Sequence, residues 1–265
     1  MSRILNFPKR FFFSRYIPRF AYMHIFLNSA TRHSMLHVQN PFSFFWPSES
    51  LAARAEISLN DANGKIIGKL KKTIPPFGIL AISIQEILSE PRSTAELGTI
   101  TLDLVPPKKY EKYLHSLNRS DARIASPFWM RFFDDLGSQA YVHSIEADRT
   151  QIYGVPRMIS RLISNKGSRV VWSSDRTIHL DDGESATAYI VNHSSNKHSC
   201  TASWNSPTSG VIKTAEFAIP RKGVRAFPVE YSGAIYLSVN PISTSNAKPY
   251  VLVTSASQQF ALTHG

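Results

Sequence analysis

Ile100, Leu102 and Leu104 alternate with Thr99, Thr101 and Asp103, and far along the chain Ile235, Leu237 and Val239 alternate with Tyr236 and Ser238. A period of two sends successive side chains to opposite sides of an extended backbone, so each run predicts a half-buried β-strand. The two runs share one frame, GTITLDLVP from Gly98 and GAIYLSVNP from Gly233. Upstream of them stand two more matched blocks, KTIPPFGILAI around Pro75 and Gly78 and FAIPRKGVRAF around Pro220 and Gly223. Downstream, PFWMRFFDDLGSQAYVHS from Pro127 answers PYVLVTSASQQFALTHG from Pro249, each closing on a histidine, His143 and His264. A looser pair sets HVQNP at Asn40 beside IVNHS at Asn192. Matched blocks in one order predict a β-module used twice.

Within the first copy, Ile57 and Leu59 face away from Glu56 and Ser58, and Asn63-Gly64 supplies the positive φ angles of a tight hairpin that returns into Ile66, Ile67 and Leu70. The Pro-x-x-Gly blocks fall between strands, where proline fixes φ and glycine frees it. Short strands between turn signals predict a sandwich or barrel. Helix is scarce. VPRMISRLISNKG in the connecting stretch carries Met158, Ile159, Leu162 and Ile163 at helical spacing, and KKYEKYLHSLNRS after Pro107 carries Tyr110, Tyr113, Leu114 and Leu117. Both predict short helical insertions packed on a sandwich edge.

The order of these elements, with its D-x-N-G hairpin, I-P-x-x-G turn and G-x-I-x-L strand, resembles the seven-stranded immunoglobulin-like modules that bacteria string together in surface and accessory proteins. The resemblance implies an all-β chain of two tandem sandwiches and carries no catalytic residues with it. The expected organisation is a basic aromatic N-terminal arm with a candidate first strand over 1–34, a first sandwich over 35–150, a basic linker over 151–180 and a second sandwich over 181–265.

A chain of 265 residues with 43% apolar content can bury two cores, and a single cysteine, Cys200, leaves packing alone to hold them. The N-terminal stretch is interrupted by Lys9, Arg10, Arg15 and Arg19 and broken by Pro8 and Pro18, which is the wrong shape for a secretory signal. No apolar run is long enough to span a bilayer, so a cytoplasmic placement is expected, with a membrane-peripheral one as the alternative. The net charge of +11 is unevenly spread: residues 1–48 hold six basic side chains and no acid, whereas residues 49–150 are balanced. Residues 151–180 set Arg157, Arg161, Lys166, Arg169 and Arg176 against Asp175 alone. Clustered cations outside balanced modules point to an anionic contact, with Lys9, Arg10, Arg15, Arg19, Arg157 and Arg161 as its candidates. In the arm they are interleaved with Phe11, Phe12, Phe13, Tyr16 and Phe20, a mixture that suits anionic lipid, glycan or nucleic acid.

The histidines are the remaining candidates. His33 and His37 share a strand face near His24, yet no cysteine or carboxylate follows at ligand distance, so no metal is expected. His143 and His264 end the closing strands of the two copies and are candidates for an interface role. Asp134 and Asp135 near His143 would serve an enzyme acting on a glycan or anionic substrate between the copies. No phosphate loop, zinc-protease motif, dinucleotide fingerprint or nucleophile elbow accompanies them, and no cofactor is expected. The simpler reading is a non-enzymatic binding or assembly protein that docks a protein partner.

Overall fold

The alternating runs become strands, and in the computed structural model, which describes residues 20–88, 95–105, 128–143, 145–146, 173–194, 196–243 and 247–264, they assemble into four antiparallel sheets. The first half holds β1 (Phe20–Leu27), β2 (Arg32–Gln39), β3 (Ala53–Asp61), β4 (Ile66–Ile74), β5 (Ile79–Ser83), β6 (Leu97–Val105), β7 (Phe128–Asp134), β8 (Gln139–His143) and the two-residue β9 (Ile145–Glu146). The second holds β10 (Ser174–Leu180), β11 (Ser185–Val191), β12 (His198–Ser206), β13 (Gly210–Ile219), β14 (Val224–Glu230), β15 (Gly233–Asn240), β16 (Tyr250–Thr254) and β17 (Phe260–His264). The sheets run β4-β3-β6-β1-β9 and β5-β2-β7-β8, then β13-β12-β15-β10 and β14-β11-β16-β17. Apart from β9, the strand order of the two halves is the same. The stretches read from sequence as arm and linker each contribute a strand, β1 and β10.

The immunoglobulin order is met only at the centre of each sandwich. β2 pairs with β5 and β3 with β6, as strands B with E and C with F do in that fold. The neighbour of β6, however, is the first strand and the neighbour of β2 is the seventh. The immunoglobulin arrangement has the last and the first strand in those places.

Ile57, Leu59, Ile100 and Leu102 face Leu36, Val38, Phe128, Met130 and Phe132 in the first core, and Trp204, Ile235, Leu237, Ala188, Ile190 and Val251 fill the second. Trp204 is fully buried and donates its indole N–H to the Phe227 carbonyl at 3.1 Å. The sheet β14-β11-β16-β17 buries both faces. Ala186, Ala188, Ile190 and Val251 belong to its own core, while Tyr189, Val191, Val224, Tyr250, Leu252, Phe260 and Leu262 join the core of the first sandwich. They pack between β1 and β8, where the Tyr250 ring lies against the buried His24 with centroids 4.4 Å apart and planes tilted by 44°, and β17 lies against β8. Arg32 donates across the junction to Thr254 at 3.0 Å and lies over the Phe260 ring. The halves are thus joined by a shared apolar interior.

Two turn expectations are corrected. In the β3–β4 hairpin only Gly64 takes a positive φ, +79°. The Asp61 carboxylate accepts the N–H groups of Asn63 and Lys65, both at 2.9 Å, so the loop is longer than a two-residue turn. In the Pro-x-x-Gly turns the left-handed residues are Phe77 (φ 57°) and Lys222 (φ 60°), not the glycines. Gly78 and Gly223 serve close approach instead: a Cβ on Gly78 would lie 2.5 Å from the Pro75 ring, and one on Gly223 2.9 Å from the Ala62 carbonyl. The short helices found are α1 (Phe42–Phe45) and α2 (Ile84–Ile87). Both predicted helical insertions lie outside the described residues. No described helix is long and apolar enough to cross a membrane.

Candidate functional site

Because strands alternate, the sheet β5-β2-β7-β8 shows its even partners Leu36, Val38, Phe128, Met130 and Phe132 to the core and its odd ones to the outside. The pairing register orders that outer face into rows. Ala81, His37, Trp129 and His143 form one, Ser83, Met35, Arg131 and Tyr141 the next, and His33, Phe133 and Gln139 a third. The rings of His37 and Trp129 are stacked within 1° of parallel at 6.0 Å. Arg131 holds its guanidinium carbon 4.8 Å from the centre of Phe133 and 6.0 Å from that of Tyr141, and donates to Gln139 Oε1 at 3.2 Å. Tyr141 is 57% exposed and Ile79, on β5, 58%. Burial, and then the Arg131 charge, hold the pKa of His37 below its ordinary 6.5.

The second sandwich repeats this lattice with different side chains. Tyr189, Tyr250 and His264 pair as His37, Trp129 and His143 do. Thr187, Leu252 and Leu262 match Met35, Arg131 and Tyr141, and Ser185, Thr254 and Phe260 match His33, Phe133 and Gln139. The register places His143 and His264 at equivalent ends, opposite Trp129 and Tyr250. One face, rich in Leu and Tyr, is buried against the first sandwich; its counterpart, rich in Trp, His, Arg and Tyr, is half-buried to exposed.

Other sequence candidates fall apart in space. Asp134 belongs to the β7–β8 turn, where its carboxylate accepts the N–H groups of Leu136 (3.0 Å) and Ser138 (2.8 Å). His143 sits at the opposite end of that hairpin, beside Trp129, roughly 17 Å away at strand spacing. Asp135 is 74% exposed and 3.7 Å from His33. No acid–base pair is therefore assembled from His143 and either aspartate. His33 and His37 share the outer face but stand roughly 13 Å apart along β2, too far for one ion. Lys9, Arg10, Arg15, Arg19, Arg157 and Arg161 lie outside the described residues. In WMRFF the alternation of Trp129, Arg131 and Phe133 with Met130 and Phe132 marks the outward side of β7 alone, and the sequence pairs the histidines only as His33 with His37 and His143 with His264.

No family model matches the chain, and no curated protein matches it in sequence. Among solved structures, an uncharacterized protein from Burkholderia cenocepacia matches at 9% identity over 97% of this chain and 87% of its own, with a TM-score of 0.26. A β-glucuronidase of glycoside hydrolase family 2 matches at 9% identity over 92% of this chain and 23% of its own, with a TM-score of 0.18. A Bacteroides uniformis β-glucuronidase matches at 10% identity over 92% and 26%, also with 0.18. All three TM-scores lie below the level at which two chains share one fold, so function is read from the face itself.

Proposed function

We propose that this protein is a non-enzymatic binding and assembly module that docks a protein partner on the outer face of β5-β2-β7-β8. One observation carries the reading: the register-equivalent face of the second sandwich is already a docking face, buried through Tyr189, Tyr250, Leu252, Phe260 and Leu262 against a neighbouring sandwich. Its exposed counterpart carries Trp129, Tyr141 and Arg131, the residue types that dominate binding energy in protein interfaces. We further propose that the basic residues Lys9, Arg10, Arg15, Arg19, Arg157 and Arg161 add a contact with an anionic surface.

A photo-crosslinking side chain at position 141, compared with one at position 211 on the β13 edge, tests the face in cells. Discrete adducts from position 141 that disappear with Trp129→Ala support it. The same adducts from both positions overturn it. Salt-sensitive retention on heparin or anionic vesicles, lost on deletion of residues 1–19, tests the arm separately.

A further inference from the structure

At one position the two equivalent faces differ in charge. Leu252, buried against the first sandwich, corresponds in register to Arg131 on the exposed face. Arg131 holds its guanidinium over the Phe133 ring and reaches Tyr141, and a planar guanidinium donates hydrogen bonds only from its edge. Of the five N–H donors a guanidinium offers, its one side-chain hydrogen bond uses a single donor, to Gln139. Its Nε is buried and closed to a partner, which leaves the Nη groups to receive one, and among the described residues no carboxylate pairs with it. His33, His37 and His143 stand on the same face, and the nearby acid, Asp135, is placed beside His33. An apolar surface like the one that receives Leu252 would strand the Arg131 charge.

We infer that the partner docked here presents an acidic surface and that one of its carboxylates is received by the edge of Arg131, between Tyr141 and Gln139. The inference rests on the docking face proposed above and adds the partner's chemistry. A carboxylate fits a guanidinium fork with two parallel hydrogen bonds, which a single point charge does not reproduce. Trp129 and the stacked His37 would give the flanking apolar contact. A protein is favoured over an anionic glycan because the equivalent face in this chain already receives a protein surface.

The test titrates the full-length, isotope-labelled protein with a synthetic peptide of alternating Glu and Leu, read by the NMR signals of the Trp129 indole N–H and the Arg131 Nε–H. A Gln–Leu peptide and a heparin oligosaccharide are run beside it. Saturable shifts at Trp129 and Arg131 are expected with the Glu–Leu peptide and not with the Gln–Leu peptide. Affinity should fall roughly tenfold or more in both Arg131→Ala and Arg131→Lys, as loss of a charge-assisted fork requires. Unchanged signals elsewhere in the spectrum show that the variants remain folded. No shift at Trp129 or Arg131, equal binding of the Gln–Leu peptide, or full affinity in Arg131→Ala overturns the inference. So does a stronger response at Trp129 to heparin, which would make the ligand a glycan. If adducts at position 141 are lost with Trp129→Ala but persist in both Arg131 variants, the face stands and its acidic chemistry falls.

Discussion

Asn192 repeats in the second sandwich what Asn40 does in the first. The Asn40 side-chain amide donates to the carbonyls of Leu51 (2.6 Å) and Pro75 (3.1 Å), and that of Asn192 to Asn196 (2.7 Å), Ile219 (2.9 Å) and Pro220 (3.1 Å). Each backbone N–H reaches the turn glycine, Gly78 at 3.1 Å and Gly223 at 3.0 Å. Each Oδ1 accepts the N–H two residues on, from Phe42 or Ser194. A buried asparagine thus fastens the end of β2 or β11 to the left-handed Pro-x-x-Gly turn and satisfies carbonyls that the sheets leave over.

Alanine at either position removes the donors and leaves those carbonyls buried, each at about 1–3 kcal/mol. Asn40→Ala and Asn192→Ala are each expected to lower stability by about 3 kcal/mol in urea unfolding. Asn→Asp at the same sites should cost more, because a charged acceptor then faces carbonyl oxygens. Losses under about 1 kcal/mol would show that the turns hold without the clamp.

His193, next in the chain, is buried with neither ring nitrogen bonded, and burial pushes its pKa from 6.5 to about 4. The folded state therefore keeps the ring neutral where the unfolded chain already binds a proton. Its contribution to stability is fully present above about pH 6.5 and is lost as pH falls toward 4, an effect of about 3 kcal/mol. Urea midpoints measured at pH 7.5 and 4.5, roughly one unit or more to either side of the unfolded pKa, should converge in His193→Gln relative to the native chain. An unchanged pH slope in that variant would assign the acid sensitivity to other groups.

The strands were legible because alternation and matched frames are local, and both halves carry them. The shared interior was not weighed, although the signal is present in YVLVT: Tyr250, Val251, Leu252 and Val253 are apolar on both faces, the mark of a strand buried on both. AYMHIFL in β1 reads the same way. The left-handed backbone at Phe77 and Lys222 had no local signal, since non-glycine residues take that conformation only where surroundings impose it. The separation of Asp134 from His143 follows from hairpin geometry that closeness in sequence conceals. The outer face could be recognised only once register aligned His37, Trp129 and His143 across three strands.

Gly64 links the β3–β4 hairpin to the second sandwich. A Cβ there would lie 2.0 Å from the Arg221 carbonyl, and its φ of +79° is strained for any other residue. Arg225 donates to the Ala62 carbonyl at 2.8 Å and to Asn63 Oδ1 at 3.1 Å, and Thr99 donates to the Lys222 carbonyl at 2.6 Å. Gly64→Ala is expected to loosen this junction, with faster amide exchange at Val224 and Thr99 and a stability loss of about 2 kcal/mol. Exchange confined to the hairpin tip would show that the junction tolerates the added methyl group.

Cys200 lies buried on β12, where burial pushes its thiol up to about 11. A thiol so placed is inert until the second sandwich opens. Iodoacetamide labelling under native conditions should therefore be slow and should accelerate with urea in step with global unfolding, and Asn192→Ala should shift the whole curve to lower urea. Rapid labelling of the folded chain would mean that β12 opens on its own.

Leu252 and Arg131 occupy one register position in two faces of opposite fate, so exchanging their characters separates them. Leu252→Arg places an unpaired charge against Tyr250, Phe260 and the first core, and should cost about 3–5 kcal/mol. Arg131→Leu removes a half-exposed guanidinium and its contact with Phe133, and should change stability by less than about 1 kcal/mol. Unfolding curves for the two variants thus measure which face the folded chain itself needs. A large loss with Arg131→Leu would mean that the face over β2, β7 and β8 already serves the fold, leaving nothing there for a partner to take up.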